Sequence, residues 1–250
     1  MANELVLLHG FTQTGASWEP VRREVGERYR AHAPDLRGHG AASERLPATF
    51  DAVIEDVASL VDGLFTLVGY SMGGRIALAL ALARPERVVR LVLLSASPGL
   101  ADPHQRETRR HADEALAGEI ERSTIESFAR RWASQSLFAG QPPEVDRLAH
   151  VDRLRNTPAG LAGALRGLGT GVMEPLWNRM ADLELAIDLV VGERDEKFRA
   201  TNERMAEAMP DARLHVIAGA GHAVHLENPK VVARLLLEEQ RPAGRRAEAG

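Results

Sequence analysis

Cysteine is absent from the 250 residues of this chain, which excludes disulfides, a thiolate nucleophile and cysteine-ligated metal sites. No apolar run approaches the ~20 residues that a membrane-spanning helix needs. The first residues, MANELVLLHG, lack the basic leader and long apolar segment of a signal peptide. The net charge is −4, so no basic excess is present of the kind that binds nucleic acid. We therefore expect a cytoplasmic protein with no nucleic-acid partner and no integral membrane association.

What the chain does contain is an alternation of short apolar strands and helical segments. The predicted strands are 5–8, 29–33, 65–68, 88–94, 186–191 and 213–217, and the predicted helices are 18–25, 50–62, the run that follows Ser71 and ends at Pro85, 197–209 and 229–239. Thr49 is the expected N-cap of the second helix and Gly63 its expected stop. Strands that alternate with helices predict a mostly parallel sheet covered on both faces.

The pattern is interrupted between residues 98 and 171, which are rich in Arg, Glu, Gln and Ala and show no buried-strand signal. This stretch, the lid segment, is predicted to be a helical insertion above the carboxyl ends of the strands, where such sheets bind ligands. The α/β core is then expected to comprise residues 1–97 and 172–240. Residues 241–250 are expected to form a disordered tail.

The sequence Gly69-Tyr70-Ser71-Met72-Gly73 has the pattern G-x-S-x-G between a predicted strand and a predicted helix. Flanking glycines permit the strained turn that lifts a nucleophilic serine hydroxyl above the end of a strand. The alternative is an ordinary glycine-rich turn with a capping serine. The strand and helix on either side favour the nucleophile.

A serine hydroxyl needs a histidine to take its proton and an acid to orient that histidine. In this architecture the chain order is serine, acid, histidine. Asp195 follows a predicted strand in VVGERD, and His222 follows the last predicted strand in AGAGH. Glu193 and Glu196 are neighbouring loop carboxylates, and Asp195 is preferred for its place at the strand end.

The first predicted strand runs directly into His9-Gly10-Phe11. A backbone N–H from this loop and the N–H after the serine would form an oxyanion hole. Phe11 and Met72 are the expected donors. An ordinary turn with a core aromatic at Phe11 is the alternative.

These motifs together resemble the α/β-hydrolase fold over essentially the whole chain, shortened at the N-terminus because LVLLHG begins almost at the first residue. GYSMGGR, PGL before an arginine-rich helix, Trp132, LRN near Arg155 and GERDEKF resemble one family of that fold, the 2-succinyl-6-hydroxy-2,4-cyclohexadiene-1-carboxylate synthases of menaquinone biosynthesis. The resemblance implies a lyase that eliminates pyruvate from an enolpyruvyl-bearing, succinylated cyclohexene carboxylate. It implies no metal and no organic cofactor.

The resemblance further implies a small tricarboxylate substrate and residues to bind it. Arginine suits carboxylates because its planar charged fork binds them in bidentate fashion. The matching positions are Arg75, Arg109, Arg155, Tyr70 and Trp132, and Lys197 is a further cation near Asp195. The alternative roles of these residues are solvated helix faces for the cations and packing for the aromatic rings.

Two other functions remain open from the sequence. A serine hydrolase of the same fold, a carboxylesterase or a C–C bond hydrolase, would use the same triad. A non-catalytic small-molecule receptor on the same scaffold is the less favoured alternative. The arginines favour the lyase, because an esterase for neutral substrates has no use for several buried cations.

Overall fold

A computed structural model describes residues 3–238 of the chain. Its strands are β1 Asn3–Leu8, β2 Tyr29–His32, β3 Phe65–Tyr70, β4 Val88–Leu94, β5 Ala186–Gly192 and β6 Ala212–Ile217. They form one six-stranded sheet in the order β2-β1-β3-β4-β5-β6, and every neighbouring pair is parallel. The predicted strands and parallel pairing are confirmed. The predicted tail, 241–250, lies outside the described residues.

Helices cover both faces of the sheet, and this explains why β3 and β5 are buried along their whole length. The helices are α1 Glu19–Val25, α2 Phe50–Ala58, α3 Met72–Ala83, α4 Pro103–Glu121, α5 Ile125–Ala133, α6 Pro143–Arg153, α7 Pro158–Leu168, α8 Glu196–Ala208, α9 Val224–Glu227 and α10 Pro229–Leu237. Apolar residues of α2, α3 and α8 belong to one core cluster, and those of α1, α9 and α10 belong to another.

Helix α2 begins as predicted, with the Thr49 hydroxyl accepting the N–H of Ala52. It ends at Ala58, however, and not just before Gly63. The reason is tertiary: the Arg87 guanidinium donates to the carbonyls of Ala58 and Gly63. Carbonyls at a helix end need such partners, and Arg87, just before β4, donates to the carbonyl of Ala58 where the helix ends.

The lid segment joins β4 to β5 and contains α4, α5, α6 and α7, with no strand among its residues. Caps and prolines define these helices locally: the Asp102 carboxylate accepts N–H groups at the start of α4, and Thr157 caps α7 ahead of Pro158. A small apolar cluster around Phe128 and Leu161 holds the segment together and contacts Phe11 of the core. The lid segment therefore packs on the loop that follows β1.

Three fully buried histidines are part of the core beneath this loop. His9 accepts the N–H of Leu36 at Nε2, at 2.9 Å, so its proton is on Nδ1 and is donated to the carbonyl of Gly10. Burial lowers the pKa of His9 to about 4, and lowers the pKa of His39 and of His225 to about 3. All three imidazoles are therefore neutral in the folded chain.

These pKa values predict that the free energy of unfolding falls as the pH drops from about 6.5 toward 4. In the unfolded chain a histidine binds a proton at its ordinary pKa of ~6.5, whereas these three do not do so in the folded chain. Each buried histidine therefore lowers the free energy of unfolding by about 1 kcal/mol at pH 5.5. We expect His225→Phe to reduce the fall between pH 7.5 and pH 5.5 by about that amount. Urea unfolding at both pH values measures it.

The matched control is His104→Gln at an exposed position, which should leave the pH dependence unchanged. A pH dependence of His225→Phe equal to that of the unaltered chain would contradict the assignment of a neutral buried His225.

Candidate active site

The predicted nucleophile, acid and base follow three different strands of the sheet. Ser71 follows β3, Asp195 lies three residues beyond β5, and His222 lies in the loop after β6. The carboxyl ends of parallel strands lie along one edge of a sheet. The topology therefore brings together three residues that are up to 151 positions apart.

Ser71 occupies a strained turn between β3 and α3, with φ 51° and ψ −106°, a region that residues with a Cβ seldom adopt. Neighbouring glycines make the turn possible. A Cβ on Gly73 would lie 2.2 Å from the carbonyl oxygen of Leu8, and one on Gly69 would lie 2.3 Å from that of Gly73. Glycine is therefore required on both sides of Ser71: Gly69 lies against the backbone of Gly73, and Gly73 lies against the end of β1.

A chain of hydrogen bonds joins the three side chains. His222 Nε2 lies 3.2 Å from Ser71 Oγ, and His222 Nδ1 lies 2.7 Å from Asp195 Oδ2. A carboxylate can only accept, so Nδ1 carries the proton and Nε2 is free to accept the serine proton. This is the arrangement in which serine can act as a base or a nucleophile.

The His222 ring is enclosed by other rings. Its centroid lies 4.6 Å from that of Phe198, 5.2 Å from that of Tyr70 and 6.3 Å from that of Phe138. Tyr70 packs between His222 and His225 and does not line the cavity at Ser71. Burial raises the pKa of the Tyr70 phenol. The structure thus places Tyr70 as support for the histidine, whereas the family resemblance implies a substrate contact there.

A cavity of about 540 Å³ opens above Ser71. Both expected oxyanion donors, Phe11 and Met72, line it beside the serine. The Phe11 ring packs edge-on against His39 at 5.7 Å and against Trp132 of the lid segment at 5.2 Å. The loop that carries Phe11 is therefore held from below by the core and from above by the lid segment.

Arg75, one helical turn after the serine, also lines this cavity. Its Nη2 donates to the carbonyl of Leu168 at 2.8 Å, whereas its buried Nε has no partner. Burial, and then the charge of Arg109, lower the pKa of Arg75 to about 10. The guanidinium stays charged at neutral pH with an unused donor, which is costly unless a ligand supplies an acceptor.

Arg109 lies on α4 and lines the same cavity. Its Nε donates to Asp113 at 2.7 Å, and the other oxygen of Asp113 accepts the N–H of Gly171. Asp113 is thus a buried carboxylate that orients Arg109 and fastens α4 to the chain after α7. The side chain of Arg109 is 44% exposed, so the rest of its guanidinium is open to a ligand or to solvent.

Two further predicted residues line the cavity, Trp132 and Lys197. The Trp132 Nε1–H is buried with no acceptor, which leaves a second unused donor in the site. Lys197 is exposed at the start of α8, with Nζ 5.9 Å from the centre of the Phe198 ring.

The structure does not bring Arg155 to this cavity. Its side chain is 58% exposed, lies 3.7 Å from Asp152 and lines a different surface groove, between α6 and the start of α1. Arg153 takes the buried position instead. It is only 2% exposed, its Nε and Nη1 have no partner, and it lies 5.1 Å over the ring of Phe138, which in turn faces His222.

Arg153 is the last residue of α6, and Arg155 lies in the turn that follows it, so the two side chains lie in different surroundings. The role of Arg155 in substrate binding stays a prediction. Val145, Ala149 and Arg153 are all buried on α6 at a spacing of four. That spacing was present in the sequence and would have selected Arg153. Burial lowers the pKa of Arg153, as expected for a cation with few partners.

Residues 3–238 contain no group of three or more histidine, aspartate or glutamate side chains arranged to hold a metal ion. Within the same residues no helix is both long enough and apolar enough to cross a bilayer.

The fold and the site together define a class of protein. The model of the α/β hydrolase family matches residues 5–235, and the chain belongs to this family.

Individual relatives are more specific. The 2-succinyl-6-hydroxy-2,4-cyclohexadiene-1-carboxylate synthase of Enterobacter sp. (strain 638) is 33% identical over 239 residues, 94% of this chain and 90% of the relative. A Bacillus subtilis protein provisionally given the same name is 35% identical over 244 residues, 94% of this chain and 89% of that protein. The structure of MenH from S. aureus aligns with a TM-score of 0.89 at 31% identity, covering 94% of this chain and 92% of that one. These relatives confirm the family resemblance carried by the motifs.

The hydrogen bond between Asp195 and His222 makes a direct prediction. Asp195→Asn should favour the wrong imidazole tautomer and slow the reaction of Ser71 with a fluorophosphonate probe by about 10³- to 10⁴-fold. Circular dichroism should show an unchanged fold, because the asparagine is isosteric. Labelling of Asp195→Asn at the rate of the unaltered chain would contradict this assignment of the acid.

Proposed function

We propose that this chain is a 2-succinyl-6-hydroxy-2,4-cyclohexadiene-1-carboxylate synthase, a lyase of menaquinone biosynthesis that eliminates pyruvate from 2-succinyl-5-enolpyruvyl-6-hydroxy-3-cyclohexene-1-carboxylate. The observation that carries the proposal is a set of guanidinium groups: Arg75 and Arg109 line the cavity at Ser71, and the buried Nε of Arg75 has no acceptor. Arg153, over the Phe138 ring that faces His222, has two further buried nitrogens without acceptors. The 31–35% identity to proteins of that name supports it.

Electrostatics favour a polyanionic ligand. Arg75 and Arg109 are close enough that the charge of Arg109 lowers the pKa of Arg75, and Asp113 offsets only part of this repulsion. A carboxylate bound between two guanidinium groups would remove the repulsion and satisfy their free donors. Three carboxylates on the substrate would match Arg75, Arg109 and Arg153, with Lys197 as a further cation at the cavity wall.

In the proposed mechanism Ser71 is a base. His222 accepts the hydroxyl proton at Nε2 while Asp195 stabilises the resulting imidazolium. The serine oxygen removes the proton from the ring carbon that bears the succinyl group, α to its ketone. The electron pair forms a new ring double bond, the existing double bond shifts along the ring, and the C–O bond to the enolpyruvyl group breaks. The leaving group is the enolate of pyruvate, which takes up the proton held by the His222 imidazolium and becomes pyruvate, so that the triad returns to its starting state.

The barrier to this step lies in forming an enolate from a carbon acid. Backbone N–H groups of Phe11 and Met72 are the proposed donors to the succinyl ketone oxygen as it gains charge, and each is worth about 3 kcal/mol in sites of this kind. The strained turn at Ser71 supports this role, because it brings Met72 and the loop after β1 to the same wall of the cavity.

The lid segment, residues 98–171, is proposed to close the cavity over this substrate, and Trp132 is proposed to donate its free N–H to it. Residues 1–97 and 172–240 are proposed as the catalytic core. The remaining predictions, that the substrate is the small-molecule partner and that the enzyme acts in the cytoplasm, belong to this proposal as well.

The hydrolase and receptor alternatives make different demands on the site. A hydrolase would acylate Ser71 and needs no cluster of unpaired guanidinium donors, whereas a receptor needs no triad. Arg75 and Arg109 line the same cavity as Ser71 and Asp195, and this combination of guanidinium groups with a hydrogen-bonded triad favours the lyase over both.

The proposal is tested by supplying the enolpyruvyl substrate and following pyruvate with a coupled lactate dehydrogenase assay. We expect release by the unaltered chain and a loss of about 10³-fold or more in Ser71→Ala, because the base is removed. Normal turnover of p-nitrophenyl esters without pyruvate release would overturn the proposal in favour of a hydrolase.

A second prediction separates Arg153, the last residue of α6, from Arg155 in the turn that follows it. Arg153→Met should raise KM for the tricarboxylate about 10- to 100-fold, the effect of losing one charge-assisted hydrogen bond. It should not lower the melting temperature, because it removes a buried cation that lacks full pairing. Arg155→Met is the matched control and should leave KM unchanged. The opposite ranking of the two variants would show that Arg155 binds the substrate.

A further inference from the structure

We propose that Arg194 is a positioning residue that fixes one turn of the lid segment, residues 135–141, against the catalytic triad. Arg194 directly precedes Asp195 in the GERDEKF motif and lines the same cavity as Arg75 and Arg109. It differs from Arg75 in that each of its three guanidinium nitrogens donates to a protein acceptor. The inference rests on the proposed function for the identity of the substrate. The contacts of Arg194 join the loops that carry Asp195 and His222 to the lid segment.

The guanidinium of Arg194 binds three separate segments of the chain. Its Nε donates to the carbonyl of Gly219 at 3.1 Å, and its Nη2 donates to Glu227 at 2.7 Å. Its Nη1 donates to the carbonyl of Gly140 in the lid segment at 2.5 Å. These acceptors lie in different directions, which suits the planar fork of arginine and not the single ammonium of lysine.

Glu227 extends the same network to the catalytic histidine. The oxygen that accepts from Arg194 also accepts the N–H of Gly221 at 2.8 Å, and Gly221 directly precedes His222. The Glu227 side chain is only 5% exposed, whereas that of Arg194 is 36% exposed. Arg194 and Glu227 together connect the acid loop, the base loop and the lid segment.

The lid-segment turn held by this network forms part of the site. Gln135, Ser136 and Leu137 line the cavity, and the Phe138 ring faces His222. Gly140 ends the turn with φ +73°, and a Cβ there would lie 2.4 Å from Arg194 Nη1. Glycine at this position therefore allows the guanidinium to lie flat against the turn.

If the turn shifts, both the cavity wall and the ring beside His222 shift with it. Loss of the Arg194–Gly140 contact should therefore raise KM and lower kcat together, while the triad hydrogen bonds within the core persist. A residue that only stabilised the fold would change the melting temperature and leave both kinetic constants of the folded fraction unaltered.

The test is a double-mutant cycle between the two sides of the contact. Arg194→Lys keeps the charge opposite Glu227 but cannot reach all three acceptors. Gly140→Ala leaves Arg194 in place but puts a Cβ against its guanidinium and strains the turn, whose φ at this residue is +73°. We expect each single variant to lower kcat/KM for pyruvate release about tenfold, and the double variant to be close to the worse single variant, because both remove one contact. Arg199→Lys, an exposed α8 residue paired with Glu203, is the control and should match the unaltered chain.

Additive losses, about a hundredfold in the double variant, would overturn the inference. So would single variants whose kcat/KM equals that of Arg199→Lys.

The same cycle is measured in parallel with a fluorophosphonate, which bonds through phosphorus to Ser71 Oγ with loss of fluoride. If the unaltered chain releases no pyruvate but labels normally, the proposed function fails while the labelling cycle still decides the role of Arg194. If Arg194→Lys does not fold, Gly140→Ala alone decides: wild-type labelling and kinetics in that variant would overturn the inference.

Discussion

The close approach of the Ser71 turn to the end of β1 is the constraint on which the site depends. Gly73 packs so tightly against the carbonyls of Leu8 and His9 that no Cβ fits there. This contact places the start of α3 beside the loop after β1, which carries Phe11. One packing constraint therefore positions the serine, both candidate oxyanion donors and, one helical turn later, Arg75. The positive φ at Ser71 is the cost of that arrangement and is typical of functional turns.

Around this turn the protein retains charges that the fold does not need. Arg75 and Arg153 leave N–H donors buried without acceptors, and such groups lower the stability of the folded chain relative to apolar residues of the same shape. Their partial pairing is local: Asp113 holds Arg109, and the carbonyl of Leu168 holds one end of Arg75. The free donor of Arg75 lies in the cavity at Ser71, and those of Arg153 lie against the Phe138 ring beside His222. They indicate a binding site, because a ligand rich in carboxylate oxygens would supply the acceptors that the fold does not.

Much of this could be predicted from the sequence, for physical reasons. Apolar runs identified the central strands β3, β4 and β5, because strands buried on both faces are continuous in hydrophobicity. The edge strands β2 and β6 are only partly buried. The order serine, acid, histidine singled out Ser71, Asp195 and His222, whose side chains are hydrogen-bonded in the structure. Helix α2 ends sooner than predicted, at Ala58, whose carbonyl accepts from Arg87 in another part of the chain. Local propensity contains no information about such a partner.

By itself the sequence determined the alternation of strands and helices, the glycines that the Ser71 turn requires and the residue types available for chemistry. These follow from local spacing and backbone sterics. Only the tertiary structure decided that Arg153 lies over the Phe138 ring that faces His222, that Tyr70 packs against the ring of His222, and that Arg194 joins the triad loops to the lid segment. Each of these depends on how a helix or loop is rotated against a distant part of the chain, and that rotation is set by packing that no short segment contains.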